Sequence, residues 1–142
     1  MEEISLKEWK ETIKSLANNK ASGPSNISNE MLKGLGPVAS NALLIIANIG
    51  IKIGDIPDQW REATVYSIPK SYDWELQFNN TRPITLLETA RKVLVKILNT
   101  RLLKVISKHN ILKGNNFAGL SSKSTHEPIH ILKHVNGRCK RK

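Results

Sequence analysis

Residues 61–101 constrain the fold more than any other stretch of this sequence. They contain a short β-prone run at 63–69, a polar loop, a second extended run at 81–86, and the start of an apolar-periodic helix predicted over 87–108. Two short extended runs joined by a loop are typical of an antiparallel hairpin. We therefore predict a mainly helical α+β fold that contains one β-hairpin.

The predicted hairpin can present two cations, Lys70 and Arg82, on neighbouring strands. Lysine offers a point charge, and arginine offers a planar fork of donors that pairs phosphate oxygens two at a time. Such a pair suits a polyphosphate. The alternative is a surface hairpin with ordinary solvated charges, and the residue types alone leave both interpretations open.

Charge is unevenly distributed along the 142 residues, whose formal net charge is +10. Residues 1–60 contain six Lys and seven acidic residues, a net charge of −1. Residues 61–142 contain sixteen Lys and Arg and five acidic residues, a net charge of +11. A phosphate-rich partner is expected on the second part, although a solubilising basic surface has the same composition. With 39% hydrophobic residues, the chain is long enough for one globular domain.

Local signals mark three helix starts in the first part of the chain. A capping box begins at Ser5 and predicts a helix over 5–18, and a serine cap predicts a short helix over 28–32. Pro37 suits the first turn of an apolar helix that runs to about residue 53. We predict that this helix is buried. It is interrupted by polar residues and is too short to cross a bilayer, which takes about 20 apolar residues.

Cysteine usage and the N-terminus bear on the compartment. Cys139 is the single cysteine, which excludes an internal disulfide and fits a reducing environment. The first residues are acidic and carry no basic-then-apolar signal segment. We expect an intracellular protein, of the nucleus or cytoplasm, without a membrane segment.

The helix predicted over 87–108 places Leu94 on an apolar face and Lys92 and Lys96 on the opposite face. Arg101 falls by helical angle on the apolar face. A guanidinium there needs a partner or a route to water, because an unpaired buried charge is costly. Arg101 therefore has either a structural or ligand-binding role, or it extends past an apolar edge into solvent.

Three histidines, His126, His130 and His134, repeat at positions i, i+4 and i+8. Such spacing can hold a transition metal. However, two helical turns separate the first from the last, so one ion would not readily take all three imidazoles from a straight helix. We predict a polar helix face and no metal site. Residues 136–142 are predicted to form a basic tail.

Several short blocks follow one another in a characteristic order. They are NKASGP at 19–24, DIPDQW at 55–60, IPK at 68–70, RPITLL at 82–87, a Lys to Arg-Leu helix at 92–102, and FAGL at 117–120 followed by Ser-Thr at 124–125. In this order the blocks resemble the front end of reverse transcriptases of non-LTR, jockey-like retrotransposons. The resemblance implies an N-terminal fragment of an RNA-directed DNA polymerase, with the fingers and the beginning of the palm within residues 1–135.

The resemblance also implies roles for individual residues. Lys70 and Arg82 take the places of fingers residues that contact the triphosphate of an incoming deoxynucleotide, which is the pair that donor chemistry also indicates. The implied template-binding residues are Lys20, Gly23, Pro24 and Gly119. The implied partners are an RNA or DNA template-primer and a deoxynucleoside triphosphate.

Polymerase chemistry needs two metal ions held by carboxylates. The resemblance implies Mg²⁺ bound by palm motifs, whereas the aspartates here are Asp55, Asp58 and Asp73, which make no such pair. We therefore predict no catalytic residue, no cofactor bound by this chain and no activity of the chain alone. The alternatives are a stand-alone basic nucleic-acid-binding module and a degenerate remnant without activity, and the oligomeric state stays open.

Overall fold

The computed structural model describes residues 2–70, 77–112 and 126–139, with side chains of the last segment described to residue 135. Its elements are α1 (Leu6–Lys14), α2 (Asn29–Lys33), α3 (Pro37–Ile53), α4 (Asp58–Arg61), β1 (Ala63–Pro69), a 3-10 turn (Phe78–Asn80), β2 (Thr81–Leu87), α5 (Thr89–Lys108) and α6 (His126–Cys139). Over these described residues, the predicted mainly helical α+β fold with one β-hairpin is confirmed. The chain divides into two compact units, Met1–Ile97 and Leu98–Lys142.

The helix starts agree with the local signals in the sequence. Ser5 Oγ accepts from the backbone amide of residue 8 at 3.2 Å, and Ser28 Oγ accepts from that of residue 31 at 3.3 Å. Pro37 is the first residue of α3, as predicted. At the other end of α3, Gly54 adopts φ 81°, a left-handed conformation that favours glycine.

Helix α1 ends at Lys14 and not near residue 18 as predicted. Beyond it, the consecutive carbonyls of residues 15–17 accept from side chains instead of continuing a helix. Their donors are, in chain order, Lys96 Nζ at 3.1 Å, Lys33 Nζ at 2.7 Å and Asn29 Nδ2 at 2.7 Å. These bonds satisfy carbonyls that a helix end leaves without intrahelical partners.

The prediction that α3 is buried is wrong for one of its faces. Its buried residues are Ser40, Leu44, Ala47 and Gly50. Its large exposed apolar residues are Val38, Ile45, Ile46, Ile49 and Ile53, and Val38 is 85% exposed. Helix α3 meets α1, and Asn48 of α3 exchanges two hydrogen bonds with the backbone of Ile4, just before α1, at 2.7 and 3.1 Å. An apolar run predicts the helix, but the number of faces that are covered depends on distant elements.

The two strands pair antiparallel, from Ala63 opposite Leu87 to Pro69 opposite Thr81. Directly opposite residues share a face of the sheet, and faces alternate along each strand. One face therefore carries the even-numbered residues of both strands, and we call it the even face. Its members are Thr64, Tyr66, Ile68, Arg82, Ile84 and Leu86.

The core of the first unit gathers apolar side chains from several helices. Trp9 and Val93 are fully buried, and Ile97 is 1% exposed. The other buried apolar residues are Ile4, Ile13, Leu32, Leu44, Ala47, Trp60, Ala90 and Leu94. Within the described ranges, no helix is long and apolar enough to cross a membrane.

The second unit contains the C-terminal part of α5 and all of α6. Helix α6 runs to Cys139, so it extends into the range predicted as a basic tail. The histidines at 126, 130 and 134 are exposed on this helix. The proposed boundary between a domain over 1–135 and a tail over 136–142 stays a prediction.

Candidate nucleic-acid groove

The Gly-Pro loop, which we define as residues 21–27, lies directly against the junction of β2 and α5. A β-carbon built on Gly23 would lie 2.5 Å from Leu87 O and 2.7 Å from Glu88 Cα. These are backbone atoms, so any side chain here forces the chain to shift. The sequence interpretation gave this glycine a role in the approach of nucleic acid, whereas the close approach seen here is to the chain's own backbone.

Side chains from the start of α5 hold the middle and the end of the Gly-Pro loop. Ser25 Oγ donates to Glu88 Oε1 at 2.6 Å, and Ser25 N donates to Glu88 Oε2 at 3.2 Å. Thr89 Oγ1 donates to Ile27 O at 2.6 Å. Glu88 is 4% exposed and Thr89 is fully buried. The loop is therefore fixed to the element that follows β2.

A groove of about 620 Å³ lies between the Gly-Pro loop and the hairpin. One wall is formed by residues 21–24 and Asn26. The opposite wall is formed by Thr64, Tyr66, Ser67, Ile68, Pro69, Ile84 and Leu86. Its volume falls in the range of about 300–1,000 Å³ that is usual for ligand pockets. The groove thus brings together two predicted template-binding residues, Gly23 and Pro24, and the even face of the hairpin.

Tyr66 lines this groove and is 55% exposed. Tyr66 is not among the residues that the sequence predicted to bind a ligand. The alternation of β1 carried a signal, because Tyr66 shares the parity of Ile68, Lys70 and, through the register, Arg82. Exposed aromatic rings beside positive charges are the usual stacking surfaces for bases of single-stranded nucleic acid.

The predicted cation pair lies at one end of the even face. Arg82 pairs with Ile68, and Lys70 directly follows β1, with its backbone N donating to Asn80 O at 2.8 Å. Lys70 and Arg82 therefore occupy diagonal positions, at which Cα atoms lie roughly 7–8 Å apart. Both side chains are exposed. Lys70 Nζ donates to Asn79 O at 2.8 Å, so its ammonium helps to hold the hairpin connection.

Other lysines near the groove differ in their contacts. Lys20 is exposed and immediately precedes the Gly-Pro loop. Lys92 Nζ donates to Ala21 O at 3.2 Å, and Lys96 Nζ donates to a carbonyl just after α1. The helical pattern predicts only that these two α5 lysines lie on the face opposite the apolar one. In the structure they bond the main chain that leads into the loop.

An acidic side chain organises the chain just before Lys20. The backbone amide of Asn19 donates to the Glu30 carboxylate at 2.5 Å. This bond, together with the backbone amide of Glu30 itself and the hydroxyl of Ser28, holds the pKa of Glu30 below its ordinary value of 4.5. Nearby Lys33 lowers it further. Asn19 itself adopts φ 56°, so the carboxylate stabilises a turn in left-handed backbone.

Pro24 also lines a larger cavity of about 650 Å³, which lies among α2, α3 and the region of Trp60. Its lining is mostly apolar, with the carboxylates of Glu62 and Glu88 among its few polar groups. Lys70 and Arg82 line neither this cavity nor the groove, but Arg82 belongs to the even face that forms one groove wall. The groove lining also contains no acidic residue, so a phosphate-bearing ligand fits the groove better than the larger cavity.

Two predicted positions cannot be placed, because Gly119 and Asp73 lie outside the described residues. Arg101 is half-exposed on α5, in the second unit. Its structural or ligand-binding role stays a prediction.

The described carboxylates do not fit a two-metal centre. Asp55 is paired with Arg61, and Asp58 Oδ1 lies 3.8 Å from Arg61 Nε. Both aspartates are exposed beside α4. Among the described residues, no group of three or more His, Cys, Asp and Glu side chains is placed to hold a metal ion.

The chain is homologous to a segment of RNA-directed DNA polymerases from mobile elements. It is 32% identical to the probable RNA-directed DNA polymerase from transposon BS of Drosophila melanogaster over 133 residues, which are 93% of this chain and 15% of that protein. The probable polymerase from transposon X-element of the same fly is 28% identical over 120 residues, 84% of this chain and 13% of that protein. The polymerase from mobile element jockey is 28% identical over 100 residues, 70% of this chain and 11% of that protein.

These comparisons confirm the resemblance to reverse transcriptases that the ordered sequence blocks indicated. No protein-family model matches the chain. The chain spans only 11–15% of the length of these three relatives.

Proposed function

We propose that this chain is the fingers part of an RNA-directed DNA polymerase and that its groove holds the single-stranded template. The observation that carries the proposal is the groove itself, which joins the Gly-Pro loop to the even face of the hairpin. The homology to polymerases of mobile elements supports a nucleic-acid ligand. The net charge of +11 over residues 61–142 favours the same class of ligand.

The two kinds of groove surface suit the two parts of a nucleotide chain. The wall around Tyr66, Ile68 and Ile84 is apolar and partly exposed, so it can receive the flat face of a base. The end marked by Lys70 and Arg82 supplies charge-assisted donors for phosphate oxygens. We assign this pair to the triphosphate of an incoming deoxynucleotide. Lys70 would exchange its bond to Asn79 O for one to a phosphate.

The proposed role is binding and positioning, without a catalytic residue on this chain. Phosphoryl transfer needs metal ions that activate the attacking oxygen and neutralise the leaving group. In the proposed parent enzyme these are Mg²⁺ ions held by carboxylates elsewhere. The part contributed here orients template and nucleotide for that centre.

A second candidate is a stand-alone module that binds nucleic acid through its basic surface alone. The observation in its favour is the concentration of positive charge in residues 61–142. Such a module would bind RNA with a strong salt dependence and no role for the groove. Substitutions inside the groove therefore separate the two candidates.

The test measures binding of a short single-stranded RNA by fluorescence anisotropy over a series of salt concentrations. Tyr66→Leu should weaken RNA binding by about 1–3 kcal/mol, while Tyr66→Phe, which keeps a ring, should not. Arg82→Ala should weaken binding of a deoxynucleoside triphosphate more than binding of RNA. Lys104→Ala is the matched control, because it removes one exposed positive charge on the part of α5 that belongs to the second unit.

The proposal fails if Tyr66→Leu binds RNA as tightly as Tyr66→Phe does. In that case, the stand-alone module is supported if Arg82→Ala and Lys104→Ala, which each remove one cation, lose the same amount of RNA affinity. If Arg82→Ala loses RNA and triphosphate binding equally, the cation pair clamps the nucleic acid and does not hold the incoming nucleotide.

A further inference from the structure

Glu88 is a buried acid that the proposed ligand contacts do not use. It is 4% exposed at the junction of β2 and α5. Its carboxylate accepts from Ser25 Oγ at 2.6 Å, from Ser25 N at 3.2 Å and from Thr89 N at 3.0 Å. A carboxylate taken out of water is costly unless such donors compensate it. The burial of Glu88 therefore depends on Ser25 remaining in place.

The same contact shapes the Gly-Pro loop. Ser25 Oγ accepts from Ile27 N at 3.2 Å while it donates to Glu88. Asn26 adopts φ 59°, and its backbone N donates to Gly23 O at 3.0 Å. The tight turn that places Gly23 against β2 is thus built around one hydroxyl. Release of that hydroxyl would free the segment that forms one wall of the groove.

We propose that Glu88 is a positioning residue whose bonds to Ser25 keep the groove preformed for single-stranded RNA. The inference rests on the proposed function, because it takes RNA as the ligand of the groove. When a ligand binds only one conformation of a protein, its apparent affinity is the intrinsic affinity multiplied by the fraction of molecules in that conformation. We call the two hydrogen bonds from Ser25 to Glu88 the latch. The latch raises the fraction of molecules whose groove is already formed before RNA binds, so less of the Gly-Pro loop has to be ordered on binding.

The sign of the effect separates positioning from simple electrostatics. Glu88→Gln raises the net charge by one, and added positive charge strengthens RNA binding. Loss of the latch weakens it. Glu62→Gln is the matched control, since Glu62 is exposed and its substitution changes the charge by the same amount. Ser25→Ala removes the 2.6 Å bond without changing charge, and Ser25→Thr keeps a hydroxyl.

The experiment measures RNA affinity of the whole chain by fluorescence anisotropy at several salt concentrations, and amide hydrogen exchange at residues 25–27. Glu88→Gln should bind RNA about three- to tenfold more weakly than Glu62→Gln, and Ser25→Ala should bind it about three- to tenfold more weakly than the wild type. The slope of log affinity against log salt should match that of the wild type, because no phosphate contact is lost. Exchange at 25–27 should quicken in both variants, and Ser25→Thr should restore the wild-type values.

Each outcome decides the inference. The inference is overturned if Glu88→Gln binds RNA as tightly as Glu62→Gln and Ser25→Ala binds it as tightly as the wild type. A reduced salt slope also overturns it, because it would mean that the substitution removed phosphate contacts. If Glu88→Gln does not fold, Ser25→Ala alone decides by the same two measurements. If the wild-type chain binds no RNA, the proposed function fails. Exchange at 25–27 then still shows whether the latch holds the loop.

Discussion

Substitution of Gly23 by alanine tests the contact on which the Gly-Pro loop is built. The added β-carbon would lie 2.5 Å from Leu87 O and 2.7 Å from Glu88 Cα, which are distances that real β-carbons essentially never show. The neighbouring atoms belong to backbone at the end of a paired strand, so no side chain can rotate away. The loop itself must move outward, and its bonds from Ser25 to Glu88 must lengthen or break.

The cost of this substitution follows from two destabilising effects and one smaller stabilising effect. Forcing extra volume into a packed site costs about 1–3 kcal/mol. Loss of a hydrogen bond to a charged group adds about 1.5–3 kcal/mol when the contact breaks fully. Alanine also lowers the conformational entropy of the unfolded chain relative to glycine, which stabilises the folded state by about 0.4–1 kcal/mol. We expect Gly23→Ala to lower the free energy of unfolding by about 3 kcal/mol.

Urea unfolding monitored by circular dichroism gives the measurement. For a small domain, a loss of that size moves the midpoint by about 1–2 M urea. Gly34→Ala is the control, because its β-carbon would lie at an ordinary 3.5 Å from Glu30 O and its φ is −83°. It should stay within about 0.5 kcal/mol of the wild type. A Gly23→Ala variant as stable as Gly34→Ala would refute the argument from backbone contact.

Two further predictions concern charged side chains, and a third concerns catalysis. Folding lowers the pKa of Glu30, mainly through the backbone amide of Asn19. The ionised carboxylate therefore stabilises the folded state fully above the pKa that Glu30 has in the unfolded chain, and this stabilisation is lost as pH falls through the folded pKa. Between about pH 6 and pH 3, unfolding free energy should therefore fall more steeply for the wild type than for Glu30→Gln, and equal slopes would contradict this. Lys96→Met removes a hydrogen bond to the carbonyl of Ser15, just after α1, and should lower the free energy of unfolding by about 0.5–1 kcal/mol in a urea titration. Lys104→Met is the control and should leave the free energy of unfolding unchanged. The purified chain should add no nucleotide to a primed RNA with Mg²⁺ or Mn²⁺, and extension that disappears in Arg82→Ala would disprove the absence of a catalytic centre.

Features set by neighbouring residues were predictable from the sequence. Ser5, Ser28 and Pro37 mark helix starts because a cap or a fixed φ acts within one turn. The hairpin strands were predicted at 63–69 and 81–86, and the second extends only one residue further. The sequence also predicted that Lys70 and Arg82 lie on neighbouring strands of the hairpin, whereas their diagonal placement follows from the register in the structure.

Features set by distant partners were not predictable in the same way. The apolar composition of α3 predicted burial, yet Ile45 and Ile49 are about half exposed because burial depends on which faces other elements cover. Lys92 and Lys96 were placed only relative to their own helix, and their acceptors lie 71 and 81 residues away. Glu88 carried no sequence signal, since its partner Ser25 is 63 residues away.

The long spans that close around the Gly-Pro loop also bear on the order in which the chain folds. The bonds from this loop to Glu88, Thr89 and Lys92 join positions 62 to 71 residues apart. The helices and the hairpin instead close between near neighbours, and closing a longer span loses more chain entropy. The loop therefore docks after these elements form, so its contacts are largely absent from the folding transition state. A weakened latch should then accelerate unfolding and leave the refolding rate nearly unchanged.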